Sequence, residues 1–310
     1  MTSSRRSFCQ TLLASLPLAT GAGTLLKADL LNAFATPRSA PPLGLNTWSL
    51  RALKHDEAIP AILRVMKETG MRNCQLLFSH AEPEEFDPDF AFLMSAAARN
   101  MTAEQVKEQK RRSEARTAWR MSVPMTYFET LRSRFEQQGL KIRSYGAPFP
   151  SSADEIDRLF LMAKTLGATV VNGRLPMAQT SLVADAAQRY GLFAGIQVSD
   201  PPILAQQLRA SDRLRADPDL GDLTKAGFSA LEFIKQHLNS VSSIDLKDAV
   251  TGGGSVPFGS GGAQMAQVLE FLVNAGSHVE LYIDCDYPGT GTSTDEVKRC
   301  VSYVRKARQA

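Results

Sequence analysis

Eight short apolar runs alternate with amphipathic helical segments along most of this 310-residue chain, and that alternation limits its fold more than anything else in it. The runs are Leu43–Trp48, Asn73–Phe78, Lys141–Tyr145, Thr169–Asn172, Phe193–Val198, Leu214–Asp219, Val241–Leu246 and Val279–Cys285. Each has strand length. Between them, Ala58–Thr69 repeats Ile62, Val65 and Met66 at helical spacing, and Ala153–Leu166 sets Ile156, Leu159, Phe160 and Ala163 on one face. Ala230–His237, Gln264–Asn274 and Thr294–Ala307 follow the same rule, with Ser152 and Ser293 expected as helix caps. Strands alternating with helices make a parallel sheet. Eight such units in roughly 270 residues predict an α/β fold of the closed (β/α)8 TIM-barrel type rather than an open sheet.

The expected organisation is a single barrel domain over 43–310, preceded by a Pro-containing linker at 36–42 and an export signal at 1–35. Ser4-Arg5-Arg6-Ser7-Phe8 is a twin-arginine motif, an apolar stretch runs from Thr11 to Leu31, and Ala33-Phe34-Ala35 offers small residues for cleavage after Ala35. This predicts a periplasmic or otherwise extracytoplasmic protein with no stable membrane insertion once the signal is removed. A helical insertion is expected at 83–121, after the second strand. It opens Pro83-Glu84-Glu85-Phe86-Asp87-Pro88 and continues as a charged helix over Ala103–Arg120. Such a helix is read as a solvated rim element, or as a lid or contact to a second copy of the chain.

Charge and cysteine content exclude some functions. The formal net charge is +3; without residues 1–35, which hold Arg5, Arg6, Lys27 and Asp29, 32 basic residues face 31 acidic ones. That near-neutral balance gives no electrostatic case for a nucleic-acid partner. Cys74, Cys285 and Cys300 remain after the signal, widely spaced and without a Cys-x-x-Cys pair, so no zinc cluster or disulfide framework is implied.

In a barrel of this type, chemistry is carried at the C-terminal ends of strands and in the loops that follow. Read in that order, the candidates are Trp48 after the first run, His80 and Glu82 after the second, and Arg174 after the fourth. Gln197 ends the fifth, Asp219 and Asp222 the sixth, Asp245 and Lys247 the seventh, and Asp284 and Asp286 the eighth. His80 is a natural proton carrier at neutral pH, Arg174 a partner for phosphate or carboxylate, and Trp48 a platform for a sugar ring. The glycines at 252–254 and 259–262 are candidates to cradle phosphate, although the P-loop Lys and Ser/Thr are missing.

Several of these segments resemble the sugar phosphate isomerase/epimerase family of xylose isomerase-like TIM barrels. Ile244-Asp245-Leu246-Lys247-Asp248 with Val256-Pro257-Phe258-Gly259 is similar to that family's "HLKD … VPFGEG", with Asp245 in place of His. Gly70–Leu76 is similar to "G-x-x-x-C-E-L", with Gln75 for Glu, and His80-Ala81-Glu82-Pro83 matches "H-x-E-P". Gly195–Ser199 lies where "G-x-H-N-H" is common, Asp219–Asp222 resembles "D-x-G-H", and Ile283–Tyr287 resembles "I-E-Y-E-Y" with both Glu shortened to Asp.

The resemblance implies one divalent cation, Mn2+ or Mg2+, held by Gln197, Asp219, Asp245 and Asp284, an all-oxygen set that suits those ions better than zinc. It also implies a small carbohydrate substrate and proton transfer next to a carbonyl, with Asp284 and His80 as catalytic groups. Glu82, Arg174, Asp222, Lys247, Trp48 and Asp286 would bind substrate. Because Gln197 takes no proton at neutral pH, two-base epimerisation through that position is disfavoured. The residues leave open a one-base sugar lyase and a metal-free barrel that only binds carbohydrate.

Overall fold

The computed structural model describes residues 40–53, 55–86, 101–198 and 201–309. The signal segment, most of the linker and part of the insertion lie outside the described residues. Those from Ala40 onward belong to one compact unit. In chain order its strands are β1 (Leu43–Asn46), β2 (Asn73–Leu77), β3 (Lys141–Gly146), β4 (Val170–Gly173), β5 (Phe193–Gln197), β6 (Leu214–Asp217), β7 (Ser243–Leu246) and β8 (Glu280–Ile283). The helices are α1 (His55–Thr69), α2 (Phe78–Ala81), α3 (Ala103–Ser122), α4 (Thr126–Glu136), α5 (Ala153–Thr165), α6 (Thr180–Tyr190), α7 (Pro201–Leu208), α8 (Leu220–Lys225), α9 (Ala230–His237), α10 (Met265–Asn274) and α11 (Ser293–Ala307).

All eight expected strands are present, most of them one to three residues shorter than the apolar runs. They pair in parallel in the order β6-β5-β4-β3-β2-β1-β8-β7. The remaining seam, β6 against β7, is closed by the parallel bridges Ala216↔Val241 and Asp219↔Asp245. The backbone bonds Ser242 N–H to Ala216 O and Asp245 N–H to Pro218 O, both 2.9 Å, hold that seam. Closure therefore sets Asp219 and Asp245 side by side at the C-terminal rim.

Helix faces predicted from 3.6-residue spacing are the faces that pack. In α5, Ile156, Leu159, Phe160 and Ala163 are buried, and Ser152 caps the helix by accepting from Glu155 N–H. In α11 the cap is Thr292, one residue before the expected Ser293, in a reciprocal pair with Asp295. Thr292 wins because its hydroxyl reaches the N3 amide while the Asp295 carboxylate returns to the Thr292 amide.

The barrel interior is unusually polar. Asn46, Gln75, Ser144, Asn172, Asp217, Ser243 and Asp245 are all buried, and each comes from a strand. Asn172 Nδ2 donates to Asp217 Oδ2 at 2.6 Å, Ser243 Oγ to Asp217 Oδ1 at 2.5 Å, and Asn46 Nδ2 to Asp245 Oδ1 at 3.1 Å.

The glycine-rich loop after β7 takes its shape from one carboxylate. Asp248 is buried and accepts four backbone N–H bonds, from Ala249 and Ala263 on Oδ1 and from Gly259 and Gly261 on Oδ2, at 2.8–3.2 Å. Gly261 is required there, because a Cβ would sit 2.4 Å from Asp248 Oδ1 and 2.5 Å from Ala249 O. The amides of Gly259 and Gly261, candidates for a phosphate, are thus committed to the chain's own anion. An Asp248→Asn substitution turns an NH2 group toward two of those donors. It should lower stability by about 3 kcal/mol, measured by reversible denaturant unfolding, because buried bonds to a charged acceptor are lost and donors are orphaned.

Candidate functional site

Three of the four residues expected to hold a cation converge at the C-terminal mouth. Asp219, Asp245 and Asp284 each place a carboxylate oxygen within 4.8 Å of the others. That spacing could hold a metal ion. The fourth, Gln197, is exposed at the end of β5 and lines a neighbouring cleft of about 210 Å³ with Arg174, Leu175, Pro176, Ile203 and Gln207. Arg174 is exposed there, at the loop after β4. The structure thus sets Gln197 and Arg174 together along that cleft.

Lys247 enters the acid cluster directly. Its Nζ lies 2.6 Å from Asp219 Oδ2, 2.8 Å from Asp284 Oδ2, 3.4 Å from Asp286 Oδ2 and 4.0 Å from Asp222 Oδ1. The lysine side chain is 7% exposed. Its stem lies against Gly221, where an added Cβ would come within 2.6 Å of Lys247 Cγ, so the absence of a side chain at 221 makes room for the lysine. Asp219 has a second duty: its Oδ1 caps α8 by accepting from Asp222 N–H at 2.9 Å. Asp222 is exposed and pairs mainly with Lys225 at 3.1 Å.

The electrostatics follow from burial and crowding. Burial pulls the Lys247 ammonium down, but Asp219, Asp284, Asp222 and Asp286 outweigh it and hold the pKa well above the usual lysine value. Burial, with Asp222 and Asp284 nearby, outweighs Lys247 and pushes Asp219 up to about 7. Burial and the charges of Asp217, Asp284 and Asp219 drive Asp245 well above the carboxylate range. Asp284 also rises, chiefly through burial and then through Asp286, against the pull of Lys247. At Asp286 burial is overcome by Lys247 and a bond from Ser255, so that carboxyl falls below its ordinary value. Asp284 Oδ1 is buried and makes no hydrogen bond. Asp217, pushed up to about 6 mainly by burial, belongs to the same group. Sequence reasoning missed Asp217, although its spacing of two from Asp219 is the signal that puts two strand residues on one face.

As the side chains stand, a divalent ion at these acids would have to displace the Lys247 ammonium. A metal bound to Asp219 and Asp284 would sit about 2.1 Å from each oxygen, beside an ammonium already 2.6 and 2.8 Å from the same two carboxylates. Lys247 is closely packed against Gly221, and Gln197 lines the neighbouring cleft.

The other expected residues have clear local tasks. Glu82 is fully buried: Tyr145 Oη donates to it at 2.6 Å, Arg120 Nε at 2.8 Å, and Arg116 stands at 3.4 Å. It was expected to meet substrate and instead anchors α3 of the insertion to the barrel, because a buried carboxylate needs partners and two arginines of that helix supply them. The insertion is therefore pinned at its C-terminal end, and Arg158 of α5 adds a bond to Arg120 O at 2.6 Å. His80 is buried on α2, with Nδ1 3.0 Å from Thr47 Oγ1, which also accepts Leu77 N–H. Trp48, half-buried, sits in a 3-10 turn after β1 with the Arg51 guanidinium 5.0 Å over its ring.

No family model matches the chain, and no curated protein does. Its backbone does match solved structures. A xylose isomerase domain protein from Alicyclobacillus acidocaldarius aligns with a TM-score of 0.58 at 16% identity, over 87% of this chain and 99% of that one. The fold is that of the xylose isomerase-like TIM barrels. A sugar phosphate isomerase/epimerase from Parabacteroides distasonis gives 0.57 at 13% identity, covering 87% and 97%. A xylose isomerase-like TIM barrel protein from Mycobacterium smegmatis, in complex with magnesium, gives 0.52 at 12% identity, covering 88% and 99%. At such identities the likeness is one of fold.

The raised carboxyl of Asp219 has a signed consequence. Folded, it keeps its proton to about 7; unfolded, it loses it near 4. The folded state therefore binds more protons between those values, and this stabilising contribution fades as pH rises through them. Thermal unfolding of the wild type should shift upward between pH 8 and pH 5.5 by more than that of Asp219→Asn, which has no proton to bind at that site. Equal shifts would show that Asp219 does not titrate in this window.

Proposed function

We propose that this protein is a sugar-modifying enzyme that moves a proton next to the carbonyl of a small carbohydrate or oxidised sugar. The observation that carries the reading is the buried group at the barrel mouth, in which Asp284 Oδ1 lacks a partner while Asp219 and Asp284 have elevated proton affinity. Abstraction of a C–H proton beside a carbonyl needs a base whose conjugate acid is not too strong, and an elevated carboxyl meets that need. Asp284 Oδ1 is the base in this reading. Asp219 holds or returns a proton on the adjacent oxygen, and the hydroxyl-rich substrate is met by Asp286, Asp222 and the Arg174–Gln197 cleft. Similarity in fold to a sugar phosphate isomerase/epimerase and to a xylose isomerase domain protein supports the substrate class.

The test is solvent exchange. In D2O, aldoses, ketoses and uronates offered to the folded protein should lose a single C–H signal by proton NMR, at the carbon beside the carbonyl. Asp284→Asn should slow that exchange by about 10³-fold, within the usual range for a general base. A folded protein that exchanges no carbon-bound proton in any of these classes would sink the enzyme reading and leave carbohydrate binding alone.

Export is proposed on the twin-arginine motif and the apolar stretch that follows it. Replacing both Arg5 and Arg6 by Lys should leave the protein in the cytoplasmic fraction, read by fractionation and by the mass of its N-terminus. Unchanged processing in that variant would refute this route.

A further inference from the structure

We propose that the Lys247 ammonium is the resident cation of this site, lying between Asp219 and Asp284, two of the three acids whose spacing with Asp245 could hold a divalent ion, and that it is the group that meets the substrate's carbonyl oxygen. Nζ lies within 3.4 Å of three carboxylates on two strand ends. The stem is 7% exposed and packed against a glycine that could not carry a side chain without meeting it. An ammonium with three N–H groups and three acidic neighbours is a saturated arrangement in this state. One carboxylate can leave it only when another acceptor arrives, and a carbonyl oxygen gathering negative charge as its neighbouring carbon loses a proton is such an acceptor.

Asp219, Asp245 and Asp284 bear three negative charges when ionised, and Lys247 returns one positive charge. Asp245 already has the Asn46 amide on its Oδ1. The electrophile role rests on the proposed proton-transfer reaction, whereas the resident-cation role does not.

The experiment is a metal titration read by thermal unfolding and by metal content, on wild type, Lys247→Met, and Lys247→Met with Asp245→Asn. Wild type, purified without chelator, should hold well under 0.1 equivalent of Mn2+, Mg2+ or other divalent metal, and 1 mM MnCl2 should leave its Tm unchanged. Lys247→Met uncovers the three acids and should gain a Tm rise of several degrees with MnCl2, with about one equivalent retained, lost again in the double variant. One equivalent of divalent metal in wild type overturns the proposal, and that measurement stands even if Lys247→Met does not fold. A folded Lys247→Met that ignores Mn2+ overturns it too, because the lysine would then not occupy a cation site. For the electrophile role, Lys247→Met should lose at least 100-fold in C–H exchange and regain part of it when MnCl2 is added. Loss without any regain rejects that role. A wild type without exchange activity but with the expected titration behaviour would refute the proposed reaction and leave the resident cation intact.

Discussion

The ion contacts of Lys247 are the interaction on which the mouth of this barrel depends. They join residues at the ends of β6, β7 and β8, through Asp219, Lys247 itself, and Asp284 with Asp286. Each acid alone would be an expensive group to bury. Together with one ammonium they become tolerable, and the residual cost at Asp219 and Asp284 appears as raised proton affinity. Removing Lys247 should therefore disturb more than one bond, since breaking a buried pair leaves uncompensated charge behind. The seam between β6 and β7 lies beside this cluster, so closure of the barrel and the site share the same strand ends.

Much of this was legible in the chain. The strand ends named Asp219, Asp245, Lys247 and Asp284 in advance, because alternation along a strand and the polarity of strand ends both select them. What alternation does not encode is mutual distance. Lys247 was one side chain among several pointing to the mouth, and only the folded register shows it between two acids. Asp217 was passed over although the same rule of two applied to it.

Other residues have surroundings that the local pattern does not contain. Glu82 looked like a substrate contact because it follows a strand, yet its partners Arg116 and Arg120 lie more than thirty residues on, in a helix entered through an insertion. Gln197 sits at the strand end where a ligand was expected and lines a cleft with Arg174. The α11 cap moved by one residue because two adjacent hydroxyl residues offer the same chemistry and only one has the reach.

The Asp248 cradle has a consequence for how such a scaffold can change. Four amides from residues 249, 259, 261 and 263 converge on one carboxylate, so both stems of the loop are clasped at a single point. The residues between them form a flap hung from that clasp, with Val250 at its base exposed to solvent. Beyond the clasp it is tied to the barrel by the Gly252 N–H bond to Lys225 O at 3.1 Å, the Ser255 bond to Asp286 and the Phe258–Tyr303 ring contact, so a change in it keeps the site where these ties are kept. A new binding edge can be grafted there provided Ser255, which bonds Asp286 of the acid cluster, is retained.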